Sequence, residues 1–242
     1  GQVSIPYGAS EMLMFALRKK TIDAAVVVCD GAGTVIVNNP EVVQGIGARM
    51  NSLVLTSPIR EIRERLRELG CHLVFENALI SQEKGVETAI KLGYRKIAVT
   101  VSGHDVEKLE RIRSLEKPGE VAITILVVCT TGIDEARVEQ IERYGDVVWS
   151  CASGIVRRKI GAVSLLQISK EIPVFVLTRG GLDFVGAYSD DESAFSCLDE
   201  RRQYLISQES VGRKIKMGER YACLREEALP FLSDKAFALE GA

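Results

Sequence analysis

Four separate stretches of the chain share one layout: a short apolar run, a small polar residue, a glycine, and then a segment with helical spacing. They are AAVVVCDGAG (24–33), KIAVTVSGHD (96–105), ITILVVCTTGID (123–134) and DVVWSCASGI (146–155). Val/Ile/Ala runs this continuous suit strands covered on both faces, and their alternation with helical segments predicts a parallel sheet. The expected fold class is therefore α/β: a mostly parallel, doubly wound, three-layer α/β/α sheet with a partly helical C-terminal extension. In such sheets ligands bind at the carboxyl ends of the strands. That edge would gather Cys29, Asp30, Ser102, Cys129, Thr131, Cys151 and Ser153.

Helical spacing of Met12, Phe15 and Ala16 predicts a helix over 9–20, and a strand follows at 24–29. Gly31 and Gly33 break the chain before TVIVNN (34–39), so a hairpin is expected there rather than an immediate helix, which argues against a Rossmann unit. Residues 41–49 read as loop or short helix, and 51–57 as a strand. Ser57 and Pro58 look like the N-cap and first position of a helix through Leu69. From 72 to 178 the pattern reads as a regular βαβ series: strands at 72–76, 96–101, 122–129, 147–151 and 173–178, and helices at 81–92, 105–116, 134–144 and 154–169. Beyond Gly181, residues 190–206 and 219–239 look helical, with a polar interruption at 211–218. The expected organisation is an α/β domain over 1–183 with an extension, 184–242, packed on it.

Composition narrows the function classes. With 31 basic and 33 acidic residues in 242, a net charge of −2, and no long run of either sign, nucleic acid is not an expected partner. The longest apolar stretches reach about ten residues, short of the roughly 20 that cross a bilayer, and no signal layout opens the chain. No membrane association and a cytoplasmic location are expected. The chain begins at Gly1 rather than methionine, compatible with a processed product or the end of a longer gene product. Six cysteines without a C-x-x-C pair predict reduced thiols, with Cys71, Cys197 and Cys223 acting as buried small hydrophobes.

The strings CDGAGTVIV (29–37), VVQGIGARM (42–50), IAVTVSG (97–103), CTTG (129–132) and CASGIVR (151–157) resemble the archaeal family called methanogenesis marker protein 8. The likeness runs from about Gly8 to Thr178 and is weaker in the tail. It implies an archaeal, anaerobic, cytoplasmic setting alongside methyl-coenzyme M reductase. It brings no assigned catalytic residues, so the site rests on the residues themselves.

Gly31 and Gly33, flanked by Asp30 and Thr34, either let a ligand approach the backbone or simply build a tight turn. Neither G-x-G-x-x-G nor a P-loop signature is present. Gly45, Gly47 and Arg49 form a second flexible, basic segment. Ser102-Gly103, Thr130-Thr131-Gly132 and Ser153-Gly154 each stand before a helix, where unpaired amides favour anions, although ordinary capping explains any one of them. Cys29, Cys129 and Cys151 suggest either a metal or iron-sulfur site or, at Cys29, a thiolate nucleophile, and buried cysteines are equally common in strands. His72 reads as structural. His104, beside Asp105, and Asp30 are the proton-transfer candidates.

The leading expectation is a small-molecule or anionic-cofactor site at the carboxyl edge, in a protein associated with methanogenesis. Catalyst or binder is left open, and the residues name no particular cofactor. Two alternatives stand beside it: a non-catalytic assembly or maturation factor for methyl-coenzyme M reductase or another methanogenic enzyme, and a cysteine-ligated metal or iron-sulfur protein. A homodimer through edge strands or helices is compatible with a sheet of this kind, and the sequence leaves the oligomeric state open.

Overall fold

Every position of β1 (Ala24–Cys29) is buried, and its side chains divide between two cores. Ala25, Val27 and Cys29 join one, and Ala24 and Val26 the other. This period-two alternation of an all-apolar run is the signature of a strand covered on both faces. The computed structural model describes residues 7–47, 53 and 55–233. On the first face lie α1 (Ala9–Arg18), α2 (Pro40–Gly47), α3 (Arg60–Glu68), α8 (Arg179–Gly186) and α9 (Ser193–Ser196). The second face carries α4 (Gln82–Lys91), α5 (Leu109–Ser114), α6 (Glu135–Tyr144) and α7 (Gly154–Val163). The result is the three-layer, doubly wound α/β/α arrangement expected from the sequence. None of the helices among the described residues is long and apolar enough to cross a membrane.

β1 pairs parallel with β4 (Lys96–Ser102), β4 with β5 (Ala122–Val128), and β5 with β6 (Val147–Trp149). On one side β1 folds back into β2 (Gly33–Val37), the expected hairpin, and β2 pairs antiparallel with β3 (His72–Leu73). On the other side stand β8 (Val174–Val176), β7 (Leu166–Ile168), β9 (Tyr204–Ser207), β11 (Arg220–Glu226) and β10 (Arg213–Met217). The full order is β10-β11-β9-β7-β8-β6-β5-β4-β1-β2-β3. Pairing senses give β2, β8 and β11 one direction and all the other strands the opposite one.

Several expectations are corrected. The regular βαβ series does not begin at 72, because β3 is a two-residue edge strand lying against the hairpin. The helix placed over 154–169 ends at Val163: Ser164 turns to extended backbone (φ −73°, ψ 148°), and residues 166–168 become β7. β8 is neither parallel nor last. Only residues 169–173 separate it from β7, too few for a parallel crossover, so the pair is antiparallel. The helix placed at 190–206 gives way to α9 and β9, the one placed at 219–239 gives way to β11 over its first residues, with 234–239 outside the described residues, and the polar interruption at 211–218 holds β10. Ile215, Met217, Ala222 and Leu224 alternate inward, and Gly218 (φ +58°) opens a two-residue hairpin turn. α3 starts at Arg60 behind Ile59 rather than behind a Ser57 cap; Ile59 donates its amide to the Gly31 carbonyl instead. Of the strand placed at 51–57, Leu53 and residues 55–57 have no regular structure, and 51, 52 and 54 lie outside the described residues. Ser81 does cap α4, accepting from the Lys84 amide.

At the amino edge a buried carboxylate joins three elements. Asp146 Oδ2 accepts from Arg113 Nη2 (2.7 Å) and from the Ile125 amide (2.7 Å), and Oδ1 accepts from Thr178 Oγ1 (2.5 Å). Its backbone bonds Ile125 and Leu177, which sets β6 against β5 and β8. Arg113 also donates to the carbonyls of Ile123 and Tyr144. Burial alone would lower the Arg113 pKa, but Asp146 and Glu116 outweigh it and the net shift is upward. Removing one partner of such a pair strands the other charge in a poorly solvated place, at a cost of about 3–5 kcal/mol. Asp146→Ala should lower the unfolding free energy by that amount in urea denaturation followed by circular dichroism. Asp190→Ala, at an exposed position, should change it by less than about 1 kcal/mol.

Candidate functional site

The carboxyl ends of β1, β4, β5 and β6 lie side by side, but their residues do not form one cluster. β1 and β6 are three places apart in the sheet, about 14 Å at the usual strand spacing. Cys29 and Cys151 therefore cannot share one metal ion. Among the described residues no group of three His, Cys, Asp or Glu side chains is placed to hold one.

The β1–β2 turn is occupied by protein. A Cβ on Gly33 (φ +73°) would lie 2.3 Å from the Ala78 carbonyl oxygen, so the glycine accommodates the 78–79 backbone. Thr34 is fully buried, donating to Leu79 O and accepting from the Ser81 amide. A Cβ on Gly31 would meet the Ile59 side chain at 2.9 Å. Asp30 is exposed; its Oδ1 accepts from Thr56 Oγ1 (2.5 Å), which in turn accepts from the Gly31 amide. Cys29 is 4% exposed, with its thiol directed to the Asp30 carbonyl. Gly45 and Gly47 belong to α2 rather than to a flexible loop, and Arg49 lies outside the described residues.

At β4, β5 and β6 the loops pack on one another. Gly103 donates its amide to Val128 O (2.7 Å), and a Cβ there would press on Thr130 at 3.0 Å. Ser102 Oγ accepts from the His104 amide, and exposed His104 bonds the Thr131 carbonyl through Nε2 (3.0 Å). A carbonyl only accepts, so Nε2 carries the proton. Asp105 turns away from His104 to pair with Lys108. Thr130 is buried and donates to Trp149 O (2.7 Å), whereas Thr131 is exposed and accepts from the Ala152 amide (3.2 Å).

The three turns expected to cap helices behave differently. Ser153 caps α7, which begins at Gly154. The cap of α6 is Asp134, three residues beyond Thr131, and Ser102-Gly103 leads into a 3-10 turn at Val106–Lys108 without side-chain capping. This leaves the Thr131 and Gly132 amides donating to no protein acceptor among the described residues.

Two further features carry no signal in the sequence. Cys129 (φ +57°) and Cys151 (φ +48°) both adopt the left-handed conformation at adjacent strand ends, and both are half-buried. Non-glycine residues hold that region at a cost of order 1 kcal/mol or more, and such residues concentrate at functional sites. Second, fully buried Arg157 in α7 donates from Nη2 to the Cys151 carbonyl (2.6 Å), bracing the strained turn from below. Ser150, between Trp149 and Cys151, is also fully buried, and its hydroxyl meets no partner among the described residues.

These features define an α/β protein of the doubly wound class, with a mixed sheet and a strained, polar loop cluster over β4, β5 and β6. Residues 1–188 match the family described as "Uncharacterized protein conserved in archaea (DUF2099)", and the chain belongs to that family. It is 43% identical over 182 residues to the uncharacterised protein MJ0054 of Methanocaldococcus jannaschii. That alignment covers 75% of this chain and 63% of the relative, so the chain spans less than two thirds of the relative's length. β9, β10 and β11 follow the family-matched segment.

Outside the site the cysteines differ from one another. Cys71 is buried as expected, Cys223 is half-buried on β11, and Cys197 is exposed, because the helix expected around it is the single turn of α9. Burial, with a smaller contribution from Cys29, pushes the Cys71 thiol from 9.0 up to about 11. At pH 8 iodoacetamide should alkylate Cys71 roughly 100-fold more slowly in the folded protein than in the urea-unfolded one, because only thiolate reacts. The folded thiol ionises later than the unfolded one, so its contribution to stability is complete below pH 9 and is lost as pH rises through about 11. Cys71→Ala should remove that part of the alkaline stability loss in denaturation curves recorded across the range.

Proposed function

We propose that the carboxyl edge over β4, β5 and β6 binds a small anionic molecule. The observation that carries this reading is the left-handed backbone at both Cys129 and Cys151. A left-handed residue in a turn can bring successive amides to one side, the geometry of anion-binding nests, and the Thr131 and Gly132 amides are free to donate there. Ser153 and the start of α7 border the same loops. Of the three catalytic candidates, His104 stands at this cluster with a fixed tautomer. Asp30 is two strand positions away from β5, and Cys29 is buried. Proton transfer at a bound ligand would therefore fall to His104 Nε2, with the ligand displacing the Thr131 carbonyl. The strings shared with the methanogenesis marker family, and a relative from a methanogen, support a role in methanogen metabolism.

Titration calorimetry of the reduced protein against inorganic phosphate and a panel of phosphorylated and carboxylated metabolites tests the reading. One class should bind with a stoichiometry near one. Thr131→Asp, which adds a negative charge at an exposed position, should weaken that binding at least about tenfold while Thr131→Ser retains it. Absence of binding across the panel, or unchanged affinity in Thr131→Asp, would reject it.

A further inference from the structure

The two strained cysteines sit closer to one another than their separation in sequence suggests. β5 and β6 are neighbours in register, with Leu126 opposite Val147 and Val127 opposite Val148. Continued past the strand ends, that register sets Cys129 opposite Ser150, Thr130 opposite Cys151 and Thr131 opposite Ala152. The bond from Thr130 Oγ1 to Trp149 O joins the β5 loop to the end of β6, and the bond from the Ala152 amide to Thr131 Oγ1 joins the two loops beyond the cysteines. At regular strand spacings, about 4.8 Å between strands and about 3.3 Å along them, that offset corresponds to a Cα separation of about 6 Å for Cys129 and Cys151. Disulfides form across Cα separations of roughly 4.4–6.8 Å. In a regular strand, diagonal neighbours point to opposite faces. The left-handed turn at each cysteine releases both from that alternation. Both thiols are free and half-buried, so a small molecule can reach them.

We infer that Cys129 and Cys151 form a redox-active dithiol that exchanges with a small-molecule disulfide. The inference rests on the reading of this edge as a small-molecule site and names the substrate class. One cysteine thiolate attacks a sulfur of the disulfide, forming a mixed disulfide and expelling one small thiolate. The second cysteine then attacks the protein-side sulfur, closing the Cys129–Cys151 bond and expelling the second small thiolate. The protein gives up two electrons, the small disulfide is reduced to two thiols, and the protons lost by the cysteines end on the leaving thiolates.

The test uses the full chain, reduced without oxygen, then exposed in parallel to cystamine, a cationic disulfide, and to 3,3′-dithiodipropionate, an anionic one. Samples are quenched with an alkylating agent and mapped by peptide mass spectrometry. Two of the six cysteines should escape alkylation, joined as a Cys129–Cys151 peptide. The Cys129→Gly and Cys151→Gly variants, in which glycine takes the same backbone conformation without strain, should each trap one small-thiol adduct on the remaining cysteine. Six alkylated cysteines, or a linkage through Cys197 or Cys223 instead, would overturn the dithiol. The ratio of rates tests the anion site separately. Linkage at least tenfold faster with the anionic disulfide supports both readings, whereas linkage at equal rates keeps the dithiol and removes the anion preference.

Discussion

The arrangement of the central strands depends on one buried carboxylate. β6 contributes three residues, Val147–Trp149, too few to hold its register through ladder bonds alone. Asp146, immediately before it, compensates by bonding Arg113 from the α5 layer, the Ile125 amide from β5 and Thr178 at the start of α8. An apolar residue would fill the space without choosing among neighbours. A charge with three such partners is satisfied in one arrangement. The close packing of Gly181 against the Asp146 carbonyl, where a Cβ would lie 2.6 Å away, brings α8 to the same point. What is anchored at the amino end of β6 determines what emerges at its carboxyl end. Ser150, Cys151 and Ser153 stand beside Thr130 and Thr131 because the strand between cannot slip.

The parts of the fold that were legible in the sequence are those in which one physical signal dominates. The all-apolar runs at β1, β4 and β5 allow only a strand covered on both faces, and the paired glycines before Thr34 require the hairpin that follows. Ser81 announces α4 because its hydroxyl has a near amide to accept. Legibility fails where two signals compete. Residues 164–168 carry apolar spacing compatible with either helix or strand, and extended Ser164 decides for strand. In β10 the inward Ile215 and Met217 alternate with Lys214 and Lys216, and in β11 Ala222 and Leu224 are separated by Cys223, so polarity in one and an apolar run in the other mask the period. The helix cap of α6 is Asp134 rather than Thr131, a difference of one turn that leaves Thr131 exposed and its amide without an acceptor among the described residues.

The site shows the same limit more sharply. Glycines advertise positive φ, and Gly31 and Gly33 accordingly drew attention, yet the structure spends them on fitting the 59 and 78–79 segments against the hairpin. The backbone strain at the carboxyl edge resides in Cys129 and Cys151, residue types that rarely adopt this conformation and give no warning of it. Composition likewise grouped Cys29 with these two, whereas strand order separates it from them. Only topology distinguishes a cysteine three strands away from one on the neighbouring strand.

The position of β8 has a consequence for how the chain assembles. β7 precedes β8 in the sequence, yet β8 lies between β6 and β7 in the sheet, bonded antiparallel to both. As the chain emerges, β6 and β7 each expose a bare edge with a gap one strand wide between them, and nothing made so far can close it. Three residues, Val174–Val176, then arrive as a keystone that joins the parallel half to the half continuing through β9 to β11. Until β8 is in place, the β6 edge stays open to a neighbouring chain.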